Sequence, residues 1–292
     1  MCGIVGLFCK SSELEPRLGE LLGAMLVQMG DRGPDSAGIA VYRDPVADGW
    51  TKLTLYSADD AFDWSALDEV VEVRARHAVA IVEGEPEEAE AAIRARFPGL
   101  RVMSAGREIE IYKEVGRPSE FAERFRLADF AGSHGLGHTR MATESRVTTE
   151  GSHPFSTGRD LCLVHNGSLS NHNRLREELR REGFDFQTDN DSEVAAAYLT
   201  WRLREGATLE QALEGCLDDL DGFYTFLVGT ADGFAVIRDP VACKPAVLAE
   251  TDEWVAMASE YRAIAVLPGA TDARMWEPLP GVVYAWDRAP VR

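Results

Sequence analysis

A cysteine directly behind the initiator methionine, at the head of an unbroken apolar run, constrains this chain more than any other feature. Residues 3–8, Gly3-Ile4-Val5-Gly6-Leu7-Phe8, are apolar or glycine throughout, the composition of a short strand buried on both faces. Chain starts are ordinarily polar and poorly ordered, yet this one is expected inside the fold. Removal of Met1 then leaves a thiol and a free α-amine on one residue, Cys2. An α-amine titrates at about 7.7–8.0 and exchanges a proton near neutral pH, whereas a lysine amine near 10.4 stays protonated. One residue thereby supplies both a nucleophile and a base. The competing reading is a cysteine at position 2 by chance, and the strand that starts at once weighs against it.

Beyond the first strand, Leu14, Leu18, Leu21, Leu22, Met25, Leu26 and Met29 recur at spacings that put most of them on one apolar helix face, closed by Gly30. Asp31-Arg32-Gly33-Pro34-Asp35-Ser36 reads as a loop and Gly38 to Tyr42 as a strand. From about 50 to 130 the texture changes. A β-rich stretch (Val70 to Val82), an acidic helix opening at Pro86 (Glu87 to Phe97), an alternating strand (Ile109 to Tyr112) and a helix over Glu120 to Phe130 read as a small α+β insertion without chemistry.

Strands follow at Leu161 to Val164, Phe223 to Val228, Phe234 to Ile237 and Val255 to Ala258, with Ala231-Asp232-Gly233 turning a hairpin. Helices are expected at Arg174 to Glu182, Glu193 to Arg204 and Leu209 to Leu217, the last with Thr208 and Gln211 as a capping-box pair. Antiparallel groups of strands with helices outside predict an α+β fold of helices covering packed sheets.

Composition narrows the function. The 292 residues carry a net charge of −19, which argues against nucleic acid and against an anionic membrane surface. Apolar residues at 45% and charged residues at 27% describe an ordinary globular chain. Its length allows two domains or one large domain with an insertion. Five cysteines with no CxxC pair form neither a disulfide framework nor a four-thiolate metal site, and a cytoplasmic location is expected. The N-terminus lacks a basic region and its apolar run is too short for a signal peptide.

Four further segments offer partners for a nucleophile. Gly137-His138-Thr139-Arg140-Met141-Ala142-Thr143 sets a guanidinium beside a threonine-bearing turn, suited to bidentate capture of a carboxylate, though a surface arginine in a turn is also possible. His165-Asn166-Gly167 puts a side-chain amide and an unhindered N–H together at a strand end, where they can meet an oxyanion; Asn-Gly is equally a tight-turn signal. Asp191, in Asp189-Asn190-Asp191-Ser192-Glu193, can cap the following helix or bind an ammonium group. Arg32-Gly33-Pro34-Asp35-Ser36 is a structural turn or an active-site rim. His134 and His138 sit among glycines that disfavour a helix, so a metal pair is not expected.

Taken together, these segments closely resemble the class II glutamine amidotransferases, which are N-terminal-nucleophile hydrolases. The matching residues are Met1-Cys2-Gly3-Ile4-Val5-Gly6, Arg32 to Gly38, Gly137 to Thr143, His153-Pro154-Phe155, His165-Asn166-Gly167 and Asp191-Ser192-Glu193, with weaker likeness at Arg238-Asp239-Pro240 and Ala258-Ser259-Glu260. The resemblance covers nearly all of the chain except about 50–130. It implies one domain over 2–292, a four-layer αββα sandwich interrupted by that insertion. It further implies Cys2 as nucleophile, Asn166 and Gly167 as the oxyanion hole, and Arg140, helped by Thr143, on the glutamine α-carboxylate. Asp191 would take the α-ammonium and Arg32 would support the Cys2 terminus. Met141 and Glu144 depart from better-known relatives near the substrate mouth.

Such glutaminases usually feed ammonia to a second active site, but Glu260 lies only 32 residues before Arg292, too few for a synthase domain. The resemblance is greatest to stand-alone glutaminase subunits of glutamate-synthase-like and N-methylglutamate-synthase-like complexes. It implies no cofactor in this chain and separate partner subunits carrying flavin and iron–sulfur centres. The alternatives are a free-standing amidohydrolase of a γ-glutamyl conjugate and a non-catalytic regulatory subunit.

Overall fold

In the computed structural model, which describes residues 2–142 and 147–288, the N-terminal apolar run forms β1 (Gly3–Cys9), buried at every position. Pro16 takes a single 3-10 turn at Glu15–Arg17, where its missing N–H costs nothing, and the regular helix α1 (Leu18–Gln28) starts there rather than at Leu14. β2 (Ser36–Tyr42), β3 (Trp50–Ser57), β4 (Val70–Arg74) and β5 (His77–Glu83) follow, then α2 (Pro86–Arg96), β6 (Leu100–Gly106), β7 (Ile109–Val115) and α3 (Pro118–Arg124). β8 (His134–Arg140), β9 (Phe155–Gly158) and β10 (Leu161–Leu169) lead into α4 (His172–Arg181), α5 (Asp191–Arg204) and α6 (Leu209–Asp219). The remaining elements are β11 (Gly222–Thr230), β12 (Gly233–Arg238), β13 (Val247–Glu250), β14 (Trp254–Ala258), the single turn α7 (Tyr261–Ile264), β15 (Arg274–Trp276) and β16 (Tyr284–Asp287).

Two antiparallel sheets stack face to face: seven strands in the order β15-β13-β14-β1-β8-β2-β7, and five in the order β16-β12-β11-β10-β9. The period-2 alternation of a strand explains why both faces of β1 are apolar. Val5 and Leu7 pack outward with Leu22, Met25 and Leu26 of α1. Ile4 and Phe8 point the other way, into the core between the sheets, with Leu136, Val164, Leu227 and Phe234. On the far side of the second sheet, Leu163, Phe226 and Val228 meet Val194, Leu199 and Leu213 of the α5–α6 layer. The result is the expected four-layer αββα arrangement, with β1 central. Burying each large aliphatic side chain contributes about 1.5–3 kcal/mol, so the chain start is held by the core itself.

Strands β4-β5-β3-β6 make a separate sheet whose own core joins Leu53, Leu55 and Ala80 to Ala89 and Ile93 of α2. This unit is narrower than the 50–130 region read as an insertion, because β7 pairs with β2 in the seven-stranded sheet and α3 packs against α1. The helix expected over 120–130 is likewise broken: α3 stops at Arg124, Arg126 adopts a left-handed φ of 52°, and a 3-10 turn follows. Among the described residues, no helix is long and apolar enough to cross a membrane.

Candidate active site

Cys2 lies immediately before β1, half-buried, with a free thiol. Its strand is pinned from both neighbours. The Ile4 N–H donates to Ser259 Oγ at 2.9 Å, and the Ser259 N–H donates back to the Ile4 carbonyl at 2.9 Å. On the other side Gly3 pairs with Thr139 of β8, whose hydroxyl donates to the Met29 carbonyl at 3.0 Å. The Cys2 carbonyl accepts two bonds, from Arg32 Nε at 3.0 Å and from Asn166 Nδ2 at 3.3 Å. Asn166 belongs to the second sheet, so the two sheets meet at Cys2.

The edge of β10 supplies the rest. Short β9 pairs only with Leu161 and Leu163, leaving β10 from His165 onward without a strand on that side. Tyr224, opposite Gly167, turns its backbone to Asp239: its N–H donates to Oδ2 at 2.9 Å and its carbonyl accepts from the Asp239 N–H at 3.0 Å. Gly167 and Tyr224 therefore exchange no ladder bonds, and the Gly167 N–H faces the uncovered edge. Residues two away along β10 fix this direction: the His165 carbonyl accepts from His138 Nε2 at 3.0 Å, and the Leu169 N–H donates to Asp191 Oδ2 at 2.8 Å. Asn166-Gly167 is thus strand rather than the tight turn its dipeptide also allows. Gly167 has φ 152°, and a Cβ there would lie 2.0 Å from the Phe223 carbonyl oxygen.

Asp191 opens α5 but does not cap it; Asn190 does, accepting the Ser192 N–H at 2.9 Å. The Asp191 carboxylate is instead docked on β10 through Leu169 and on Ser192 Oγ at 3.3 Å. Arg140 ends β8 and is 9% exposed, so it is not a surface arginine. Its Nη1 donates to the Gly151 carbonyl at 3.1 Å, and the same oxygen accepts from Asn190 Nδ2 at 3.3 Å. One carbonyl thereby links the guanidinium to the start of α5. Thr143 and Glu144 lie outside the described residues; Met141 is exposed.

Two supporting residues have no role assigned from the sequence. Lys113 of β7 is buried and donates to the carbonyls of Glu150, Ser152 and Pro154 at 3.1, 2.8 and 3.1 Å, fixing the loop that carries Gly151; burial pushes its amine down to about 7. Glu260 accepts from Arg32 Nη1 at 2.6 Å, and its bonds to Arg32, with Arg262 beside it, hold its carboxyl below the usual range. Alternating positions on β7 hinted at Lys113; for Glu260 the signal was its place in Ala258-Ser259-Glu260.

Behind the site, His138, His153 and His165 are buried together, with the His138 and His153 rings stacked at 4.0 Å. Burial pushes all three rings toward the neutral form, His138 to about 3. Among the described residues, no group of His, Cys, Asp or Glu is placed to hold a metal ion.

A family model described as a glutamine amidotransferase domain matches residues 138–266. The solved glutamine phosphoribosylpyrophosphate amidotransferase from B. subtilis superposes with a TM-score of 0.64 at 23% identity, over 98% of this chain and 47% of that one, and so shares the fold. The glutamine amidotransferase-like protein GlxB of Rhizobium meliloti is 57% identical over 98% of both chains. A putative glutamine amidotransferase of Methanothermobacter thermautotrophicus is 32% identical over 89% of this chain and 92% of that one. The chain belongs to the class II glutamine amidotransferase family. In this amidotransferase the candidate site groups come from the residue before β1, the loop after α1, β8, β10 and the first turn of α5. A groove of 570 Å³ between α2, β6 and α5 is lined by none of Cys2, Arg32, Arg140, Asn166, Gly167 or Asp191.

Proposed function

We propose that this amidotransferase hydrolyses glutamine through a Cys2 thioester and hands the ammonia to a separate synthase subunit. The Cys2 thiol, its proton taken by the Cys2 amine, attacks the side-chain amide carbon. Asn166 Nδ2 carries two hydrogens: one stays on the Cys2 carbonyl while the other, with the Gly167 N–H, meets the tetrahedral oxyanion. The proton held by the amine passes to the leaving nitrogen, which departs as ammonia, and water then releases glutamate and restores the thiol. Arg140, with Thr143, takes the α-carboxylate and Asp191 the α-ammonium, which selects a zwitterion over a bare amide. Arg32 holds the Cys2 backbone.

The observation that carries this reading is the 3.3 Å approach of Asn166, from one sheet, to Cys2, from the other. For a separate acceptor the support is shared length, since the chain spans 98% of the Rhizobium meliloti relative. The acceptor is a synthase of the glutamate-synthase or N-methylglutamate-synthase kind, bearing the flavin and iron–sulfur centres and docking through a neutral or basic face that suits a net charge of −19. Glutamate release that is low for the purified chain, rises on adding such a synthase and vanishes in Cys2→Ala is the expected result. Wild-type turnover in Cys2→Ala refutes the chemistry. Robust cleavage of a γ-glutamyl conjugate without a partner, with poor use of glutamine, refutes the ammonia hand-over.

A further inference from the structure

Arg32 is held at two points. Its side chain is 10% exposed, with Nε on the Cys2 carbonyl at 3.0 Å and Nη1 on Glu260 Oε1 at 2.6 Å, while Nη2 is buried with no partner among the described residues. A guanidinium is a rigid planar fork, so fixing one nitrogen on a carboxylate fixes the direction of the others. We propose that Glu260 is a positioning residue for the nucleophile, acting through Arg32 to set the Cys2 backbone. The proposal rests on the reading of Cys2 as nucleophile.

Three features place Glu260 for this role. Ser259, the residue before it, makes the two hydrogen bonds to Ile4 that anchor the head of β1, so the carboxylate is carried on a backbone locked to the strand it serves. Its second oxygen, Oε2, lies 2.9 Å from Arg262 Nε, which leaves Oε1 to Arg32. Arg262 Nη1 reaches Asp31 at 3.3 Å, closing a circuit from the loop after α1 to the end of β14; Asp31 is exposed, and that last contact contributes little. Without Glu260, Arg32 is a nearly buried cation with one neutral acceptor, a costly state relieved when the side chain turns to solvent. Asn166 then holds the Cys2 carbonyl alone, at 3.3 Å, and the thiol loses its fixed place. A misplacement of about 1 Å in a reacting group costs on the order of 10²-fold in rate.

The test compares Glu260→Gln, Glu260→Asp and Glu260→Ala, alone and combined with Arg32→Ala. Cys2 alkylation by iodoacetamide is followed by peptide mass mapping, which separates it from alkylation of the exposed Cys243, and glutamine hydrolysis by kcat and KM. Glu260→Gln is expected to slow both alkylation and kcat by about 10-fold or more, with KM within about 2-fold, because Arg140 and Asp191 are anchored on Gly151, Leu169 and Ser192 instead. Glu260→Asp recovers part of the loss, and Glu260→Ala adds nothing to Arg32→Ala. Wild-type alkylation and kcat in Glu260→Gln, or losses that multiply in the double variant, overturn the proposal. Should Glu260→Ala fail to fold, the near-isosteric Gln and shorter Asp variants carry the comparison. Alkylation needs no substrate, so it decides the role of Glu260 even if the wild-type protein proves not to hydrolyse glutamine.

Discussion

Replacing Gly167 with alanine puts the proposed oxyanion hole under direct strain. The added Cβ would sit 2.0 Å from the Phe223 carbonyl oxygen, 2.7 Å from His165 Nε2 and 2.8 Å from Tyr224 Cα, at a φ of 152° that L side chains rarely adopt. The first contact is with backbone, which cannot rotate away, and contacts under 3.0 Å essentially never occur. β10 and β11 must therefore part by about 1 Å, the shortfall between those two distances. Overpacking of this kind costs about 1–3 kcal/mol and the backbone conformation about as much again. A melting-point drop on the order of 5–20 °C follows. The same shift moves the Gly167 N–H from the proposed oxyanion position, and kcat is expected to fall about 10²-fold or more. Thermal melting and glutamate release from the purified variant measure the two effects. A variant that melts as wild type with kcat within about 3-fold would show that this N–H does not face the reacting carbonyl.

Three further outcomes follow from the same geometry. Asn166→Ala removes the side-chain donor and should lower kcat by about 10²–10³-fold with a smaller change in KM; steady-state kinetics with unchanged kcat would contradict its role. Asp191→Asn, which removes charge from a group held by Leu169 and Ser192, should raise KM for glutamine by about 10-fold or more, and an unchanged KM would reassign the ammonium site. His77, His134 and His138 are each pushed down to about 3 by burial. The unfolded chain therefore takes up their protons first, and stability is lost as pH falls from about 6.5 toward 3, by up to about 1.4 kcal/mol per pH unit for each ring. Denaturant melts at pH 7 and pH 5 should differ accordingly, with a smaller difference in His138→Asn; identical midpoints would contradict the buried neutral state.

How much of this was readable before folding differs from residue to residue. β1 was legible because a strand buried on both faces has a continuous apolar run, and Cys2 stood at its head. β3 and β6 were not, because buried polar residues interrupt their apolar signal: Thr54 and Ser104 share a 3.0 Å hydroxyl bond, and Lys52 pairs with Glu110 at 3.1 Å. Asn166-Gly167 was ambiguous because a glycine required by the close approach of Phe223 looks, in sequence, like one required by a turn. Asp191 was left open between helix cap and ligand because either it or Asn190 can cap a helix; in the fold Asn190 is the cap, and the Asp191 carboxylate turns to the Leu169 N–H of β10. Glu260 gave the least warning, because its meaning depends on Arg32, 228 positions earlier in the chain.

In the proposed reaction Cys2, exposed as the N-terminal residue by loss of Met1, is the nucleophile. Intact-mass analysis after incubation with 6-diazo-5-oxo-norleucine tests it most directly. The expected result is protein lacking Met1 that carries a single adduct, mapped by peptide analysis to Cys2 and absent in Cys2→Ala. Active protein that retains Met1, or an adduct on Cys9, Cys162, Cys216 or Cys243 in place of Cys2, would contradict it.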